Sequence, residues 1–391
     1  MKLIRLPRSK VELGVPLPWS VRDQYGNLLL AIGNCIDTGR QLEQLLEIGA
    51  YVDKSEIVAV ANNILLRKSV TAIGSVSLMA LWDQAPDCLQ TLLTHPDRKA
   101  DFPGQVEKFA LHIAELHDAN ADFSIYRVVR QEKCKASNYG HAHSVHAATL
   151  CILLARHLGW PLARIMSLVK AALTMNMTIL TLQSRMAIQN DPLSGAQRAD
   201  ILAHPQQAVA LLEKLGVTDP DWLSAVAQHH EHQDGSGYPA GCTEIGEMAA
   251  VLHVTDVFMA KISPRVLRPA LSPQEATRQL YREDNGGPIA TALIKTFGIY
   301  PPGDFVRLAS GELGIVVERT ANAKAPIVAA ITDAKGCAVT GTLRRDTRQA
   351  EFAVVDVVGD KAMLARLLPE RLYGFSIALP LRLPFGGFFI D

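Results

Sequence analysis

The feature that most limits what this chain can fold into is a series of helical periods running from about residue 76 to residue 300. Segments 105–118, 121–133, 143–158, 162–175, 196–215, 221–230, 246–261 and 273–283 each carry apolar residues at three- and four-residue spacing, joined by breaks rich in Pro, Gly and Asp. Such stripes lie along one face of a helix and must be buried against other helices, so this region predicts an all-α bundle. The pattern changes on either side of it.

Residues 10–60 read as a small β-rich module. An apolar run at 11–18 leads into 21–30, where Tyr25-Gly26-Asn27 is a turn signal between short apolar stretches and predicts a hairpin. Asp37-Thr38-Gly39 then starts a short helix over 41–48, with Leu42, Leu45 and Leu46 on one face and Gly49 ending it. After Phe297-Gly298-Ile299-Tyr300-Pro301-Pro302-Gly303, strand-like runs at 305–308, 313–318, 327–331 and 352–358 predict a second β-rich region, arranged as a small barrel. One more short helix is expected at 361–368. The fold class that follows is mainly α, with small β-rich modules at both ends: an N-terminal module at 1–62, a helical linker at 63–104, a helical domain at 105–300 and a C-terminal extension at 301–391.

Composition excludes several functions. Lys plus Arg equals Asp plus Glu, 39 against 39, so no overall field draws the chain to nucleic acid or to a membrane, and an anionic ligand must be held by a local site. The cysteines Cys35, Cys88, Cys134, Cys151, Cys242 and Cys337 form no C-x-x-C pair, the pattern of free thiols in a reducing compartment. No uncharged run approaches the roughly 20 residues of a membrane span, and the N-terminus lacks an apolar signal core. The expectation is a cytoplasmic protein.

One stretch concentrates chemistry: His229-His230-Glu231-His232-Gln233-Asp234-Gly235-Ser236-Gly237-Tyr238-Pro239. Imidazoles and carboxylates able to bind a metal sit beside a glycine-interrupted backbone able to approach a phosphate. Three further positions stand out. The stripe His143, His146, Leu150, Leu153 and Leu154 puts histidine on a buried helix face, and His204 directly precedes Pro205 at the start of an apolar face, which turns it inward. Asp256 shares a face with Met248, Leu252 and Met259, where a carboxylate needs a cation or strong donors; Lys261 and Arg265 are the ordinary ion-pair alternatives.

These residues resemble the HD-GYP family. His229-His230-Glu231 with Asp234-Gly235-Ser236-Gly237-Tyr238-Pro239 is similar to the family signature. Tyr139-Gly140-His141-Ala142-His143-Ser144, His204-Pro205, Thr255-Asp256-Val257-Phe258 and Tyr300-Pro301-Pro302-Gly303 resemble its other motifs in order and spacing. The resemblance implies an HD-type helical bundle and hydrolysis of the bacterial messenger cyclic di-GMP at a multi-metal centre. It places His143, His204, His229, His230 and Asp256 at ligand positions for transition metal, here one Fe or Mn ion, and gives Glu231 an orienting role. It also implies cyclic di-GMP contacts from Gly235, Gly237, Tyr238, Arg265 and Arg268, since arginine matches phosphate geometry.

The sequence departs from the family where Leu-Leu-His-Asp-Ile-Gly-Lys is expected and Leu173-Thr174-Met175-Asn176-Met177-Thr178-Ile179 stands instead. Met175 is a soft thioether, Asn176 a neutral amide where a bridging carboxylate belongs, and Ile179 removes a lysine. Three readings follow. The first is a degenerate member, weak or silent as a phosphodiesterase, that binds cyclic di-GMP or a partner protein. The second is a phosphohydrolase working on the remaining ligands. The third is an interaction scaffold for a diguanylate cyclase domain or another signalling protein, with homodimerisation open. Glu132 or Asp191 could replace the missing carboxylate.

Overall fold

A computed structural model of the protein describes residues 3–5, 17, 20–30, 36, 38–53, 78–131, 136–359 and 372–373. Most of the apolar run at 11–18, Glu132, Cys134 and the expected helix at 361–368 lie outside these residues. The chain forms two compact units, one of residues 1–76 with 337–343, the other made chiefly of residues 77–336 and 344–377.

In the first unit, four short strands, β1 (Leu3–Arg5), β2 (Val21–Arg22), β3 (Leu28–Leu30) and β4 (Tyr51–Asp53), form a sheet in the order β1-β4-β2-β3. The Tyr25-Gly26-Asn27 hairpin pairs β2 with β3, and Asp23 accepts from the backbone of Tyr25 and Asn27 to hold the turn. Helix α1 (Gly39–Ile48) begins with a capping box between Thr38 and Gln41 and ends at Gly49, whose φ of 88° suits glycine. Leu42, Leu45 and Leu46 pack it on a core with Leu17, Val21, Ile36 and Val52.

The second unit is helical over most of its length: α2 (Leu78–Leu93), α3 (Phe102–Ala119), α4 (Ala121–Arg130), α5 (Tyr139–His157), α6 (Leu162–Thr174), α7 (Leu180–Ile188), α8 (Gly195–Lys214), α9 (Pro220–Gln228), α10 (Glu247–Ile262), α11 (Pro273–Glu283) and α12 (Pro288–Phe297). Helix α5 is its axis. Its residues from Ala142 to Ala155 are all buried, and it packs on α2, α3, α4, α6, α7, α10 and α12. A helix apolar all round belongs at the centre of a bundle, and the polar side chains it carries there must then find partners. Among the described residues, no helix is long and apolar enough to cross a membrane.

The remaining strands are β5 (Phe305–Leu308), β6 (Leu313–Glu318), β7 (Ile327–Thr332), β8 (Ala338–Asp346) and β9 (Val354–Val357). They form a five-stranded sheet in the order β8-β7-β6-β5-β9, with Val306, Leu308, Val316 and Val328 at its core. This corrects the expected barrel: among the described strands, β8 and β9 are both edges and the sheet stays open. Two helices, α7 and α12, were not anticipated. The expected strand at 352–358 is in fact a 3-10 turn, Ala350–Phe352, followed by the shorter β9.

Candidate metal centre

The site forms where α5, α8, α9 and α10 bring histidines to one neighbourhood. Asp256 on α10 is 7% exposed and accepts a 2.7 Å contact from His143 Nε2 on α5. Burial pushes the Asp256 carboxyl up, but the hydrogen bond and charge of His143, with His230 and His229 nearby, outweigh it and hold the group well below the usual carboxylate range. The expected alternative partners are engaged elsewhere. Lys261 Nζ lies 2.8 Å from Glu283, and Arg265 Nε donates to the Tyr139 hydroxyl at 3.1 Å. The Tyr139 ring in turn stacks on His143, with centroids 6.2 Å apart.

The second group is His204, His229 and His230, whose ligand atoms all lie within 4.8 Å of one another. Local backbone chemistry sets two of the three rings. In a helix the N–H of residue 205 would bond to the carbonyl of Ile201, but Pro205 has no N–H. The freed carbonyl accepts from His204 Nδ1 at 2.6 Å. Helix α9 ends at Gln228, leaving the Val226 carbonyl without a helical donor, and His229 Nδ1 donates to it at 2.7 Å. Both rings therefore present bare Nε2 lone pairs, and these face each other at 3.1 Å.

Two lone pairs at that distance repel unless a cation sits between them. Two nitrogens each ~2.1 Å from a shared ion at angles of roughly 90–110° fall about 3.0–3.4 Å apart, so the pair fits a transition metal. Protonation is the other way to relieve the repulsion, and burial opposes it. Burial lowers His204, brings His229 down to about 4 with a further push from His204, and lowers His230 well below the usual histidine value. The neutral imidazole is the ligating form.

The glycine-rich loop closes over this trio. Glu231 does not face the rings with a free carboxylate: Oε1 accepts from Ala240 N at 2.7 Å and Oε2 from Cys242 N at 3.1 Å, so the side chain clamps the far end of the loop. Gly237 is required by a close approach, since a Cβ there would lie 2.4 Å from His232 N and 2.5 Å from the Glu231 Cα. Gly235 has a φ of 75°, and Asp234 caps the turn by accepting from the Ser236 N–H and hydroxyl. The outcome is to lay the Tyr238 ring on His230, with centroids 4.6 Å apart and planes 24° apart. Burial and the negative charge of Asp256 raise the Tyr238 hydroxyl, which stays protonated as a donor.

Met175 and Asn176 lie directly after α6 and are both essentially inaccessible, at 0% and 1% exposure. Asn176 Nδ2 has no hydrogen-bond partner among the described residues, an orphaned donor at the position where the HD-GYP pattern has an aspartate. Ile179 is buried as well. Asp191 is exposed, on the turn before α8. Arg265 is half-buried against Tyr139, whereas Arg268 is exposed and hydrogen-bonds the Ala260 carbonyl.

The sequence reading passed over two groups. His253, one helical turn before Asp256, donates from Nδ1 to the His229 carbonyl at 2.8 Å, and its i, i+3 spacing to Asp256 was the available signal. Thr174 accepts from Trp222 Nε1 at 2.9 Å and so ties the end of α6 to α9; nothing local in the sequence marks that contact.

Residues 128–286 match the family model described as HD domain. Over 209 residues the chain is 30% identical to a protein of Pseudomonas aeruginosa named cyclic di-GMP phosphodiesterase PA4108, an alignment covering 52% of this chain and 49% of that protein. The chain thus spans about half the length of this curated relative. A solved structure, Bd1817, a HDG"Y"P protein from Bdellovibrio bacteriovorus, aligns at 14% identity and a TM-score of 0.45, covering 74% of this chain and 97% of that one. Residues 128–286, which match the HD domain model, carry the histidine trio, the His143–Asp256 pair and the Gly-Tyr-Pro loop, and in this region the chain is similar to an HD domain.

Proposed function

We propose that this chain is a degenerate HD-GYP protein of cytoplasmic signalling, which binds cyclic di-GMP at the histidine centre and hydrolyses it slowly or not at all. The observation that carries this reading is the buried pair Met175 and Asn176, a thioether and an amide with an orphaned Nδ2, where the HD-GYP pattern calls for two ligands. The Pseudomonas relative, named for activity on cyclic di-GMP, supports the choice of ligand.

His204, His229 and His230 are the residues that would hold a transition ion, Fe or Mn, and Asp256 with His143 lies beside them. When bound, such an ion supplies Lewis acidity to a phosphate oxygen and lowers the pKa of water. The protein's own contributions are orientation and charge. Tyr238 presents a hydroxyl donor from a ring fixed on His230, and the Arg265 guanidinium, braced on Tyr139, offers its remaining N–H groups to an anion. Asn176 carries an amide and Ile179 an alkyl chain, so these positions would supply neither an anionic ligand to a second cation nor a positive charge to a phosphate.

The paired lone pairs of His204 and His229 favour a second reading, a hydrolase using one metal. Purified chain loaded with Mn or Fe is assayed for cyclic di-GMP binding and for turnover. Binding without turnover is expected, with turnover rising by at least an order of magnitude in the double variant Met175→His, Asn176→Asp. Wild-type turnover at ordinary enzymatic rates, abolished by Asp256→Ala, would establish the hydrolase instead.

A further inference from the structure

Away from the histidine centre, a cavity of about 320 Å3 opens between the C-terminal ends of α5 and α12 and the turn that follows β6. It is lined by His157 from α5, Lys295 from α12, Arg319 from the end of β6, and by Tyr300, Thr320 and Asn322. Its volume lies at the small end of the roughly 300–1,000 Å3 typical of small-molecule sites. No carboxylate is among the described residues that line it.

Lys295 and His157 sit in the last turns of their helices, where a cation complements the helix dipole without any ligand. That accounts for two of the three basic groups and for nothing else. Arg319 belongs to no helix. It is fixed by Nε on Asp122 and by Nη1 on the Thr296 carbonyl, leaving Nη2 with no partner among the described residues. Lys295 has no hydrogen bond or ion pair among them either. In a chain with no net charge, a concave site lined by bases from three elements is a local exception.

We propose that this cavity is a second binding site, for a nucleoside monophosphate. Lys295 and Arg319 hold the phosphate dianion, with His157 beside them in the cavity wall. Tyr300, half-buried where it packs on the core of the five-stranded sheet, also lines the cavity, and a base would meet the part of the ring left open there. The Asn322 Oδ1 accepts from Lys324 N, which leaves the amide NH2 to meet a base edge.

The test uses the full chain and calorimetric titration with guanosine 5′-monophosphate, guanosine and inorganic phosphate in parallel. The nucleotide should bind roughly tenfold or more tightly than either fragment, and Lys295→Glu should weaken it by a similar factor, as expected when one charge-assisted contact is replaced by repulsion. Lys295→Gln serves as a milder second variant, with folding of both checked by circular dichroism. Phosphate binding as tightly as the nucleotide would overturn the assignment, leaving an anion site blind to the base. Absence of nucleotide binding would overturn it too, as would binding indifferent to Lys295→Glu, which would place the ligand elsewhere, such as at the histidine centre.

Discussion

At the residue scale the site is organised by which atoms are already occupied. Glu231 is the clearest case. A glutamate following two histidines invites reading as a ligand or as an orienting partner of the rings, yet both its oxygens accept from backbone N–H groups nine and eleven residues on. Its task is to close the loop that carries Tyr238. Glu231→Ala should remove the acceptor of two N–H groups, Ala240 on the surface and Cys242 partly buried, and destabilise the protein by about 1–3 kcal/mol in urea unfolding, at roughly 0.5–1.5 kcal/mol per hydrogen bond lost. Glu231→Gln, which keeps an acceptor for one of them, should cost less than half as much. Equal losses in the two variants would show that charge, and not hydrogen bonding, holds the loop.

At the scale of the element, helix α8 shows how a backbone rule becomes a ligand geometry. Proline inside a helix forfeits one hydrogen bond and is ordinarily unfavourable by about 3 kcal/mol. Here the forfeited acceptor, the Ile201 carbonyl, fixes the His204 tautomer. Pro205→Ala restores an N–H that competes for that carbonyl. The expected result is a melting temperature that rises or holds while affinity for Mn or Fe, read by titration against a chelator, falls about 10–100-fold, as for other lost partners of metal-binding histidines. Unchanged affinity would mean the ring is held by its packing against His229 and His230 alone.

At the scale of the whole molecule, burying a helix as central as α5 leaves imidazoles in the interior. Burial, with Arg127 and His143, brings His146 on α5 down to about 3, and burial with Arg156 brings His117 on α3 down to about 4. Each stays neutral in the folded protein at pH values where the unfolded chain takes up a proton. Stability from these groups is therefore full above pH ~6.5 and is lost as pH falls toward 4. Between pH 7.5 and pH 5 the loss should be roughly 2 kcal/mol per histidine. Urea midpoints across that range check it: His117→Asn should flatten the profile, and an unchanged profile would show that His117 does not contribute.

Periodicity made the bundle legible, since a stripe such as that of α10 can be buried only one way. It missed α12, whose run Ile289-Ala290-Thr291-Ala292-Leu293 shows no clean polar face, and α7, which follows the irregular turn after Met175. It also predicted closure of a sheet that stays open, because closure depends on which edges meet and strand patterns do not record that. Within the site, the sequence singled out His204, His229, His230, Asp256 and the glycine loop as candidates, and the structure brings the three histidines together; the carbonyls that set the His204 and His229 tautomers are three residues away from them. The contact of His143 with Asp256 joins residues 113 apart, and that of Trp222 with Thr174 joins residues 48 apart. Only packing of α5 on α10 and of α6 on α9 decided those. Sequence thus determined the candidate histidines and the Met175-Asn176 departure from the family pattern, while the tertiary structure decided which nitrogens are bare, because that depends on every other hydrogen bond the rings have already made.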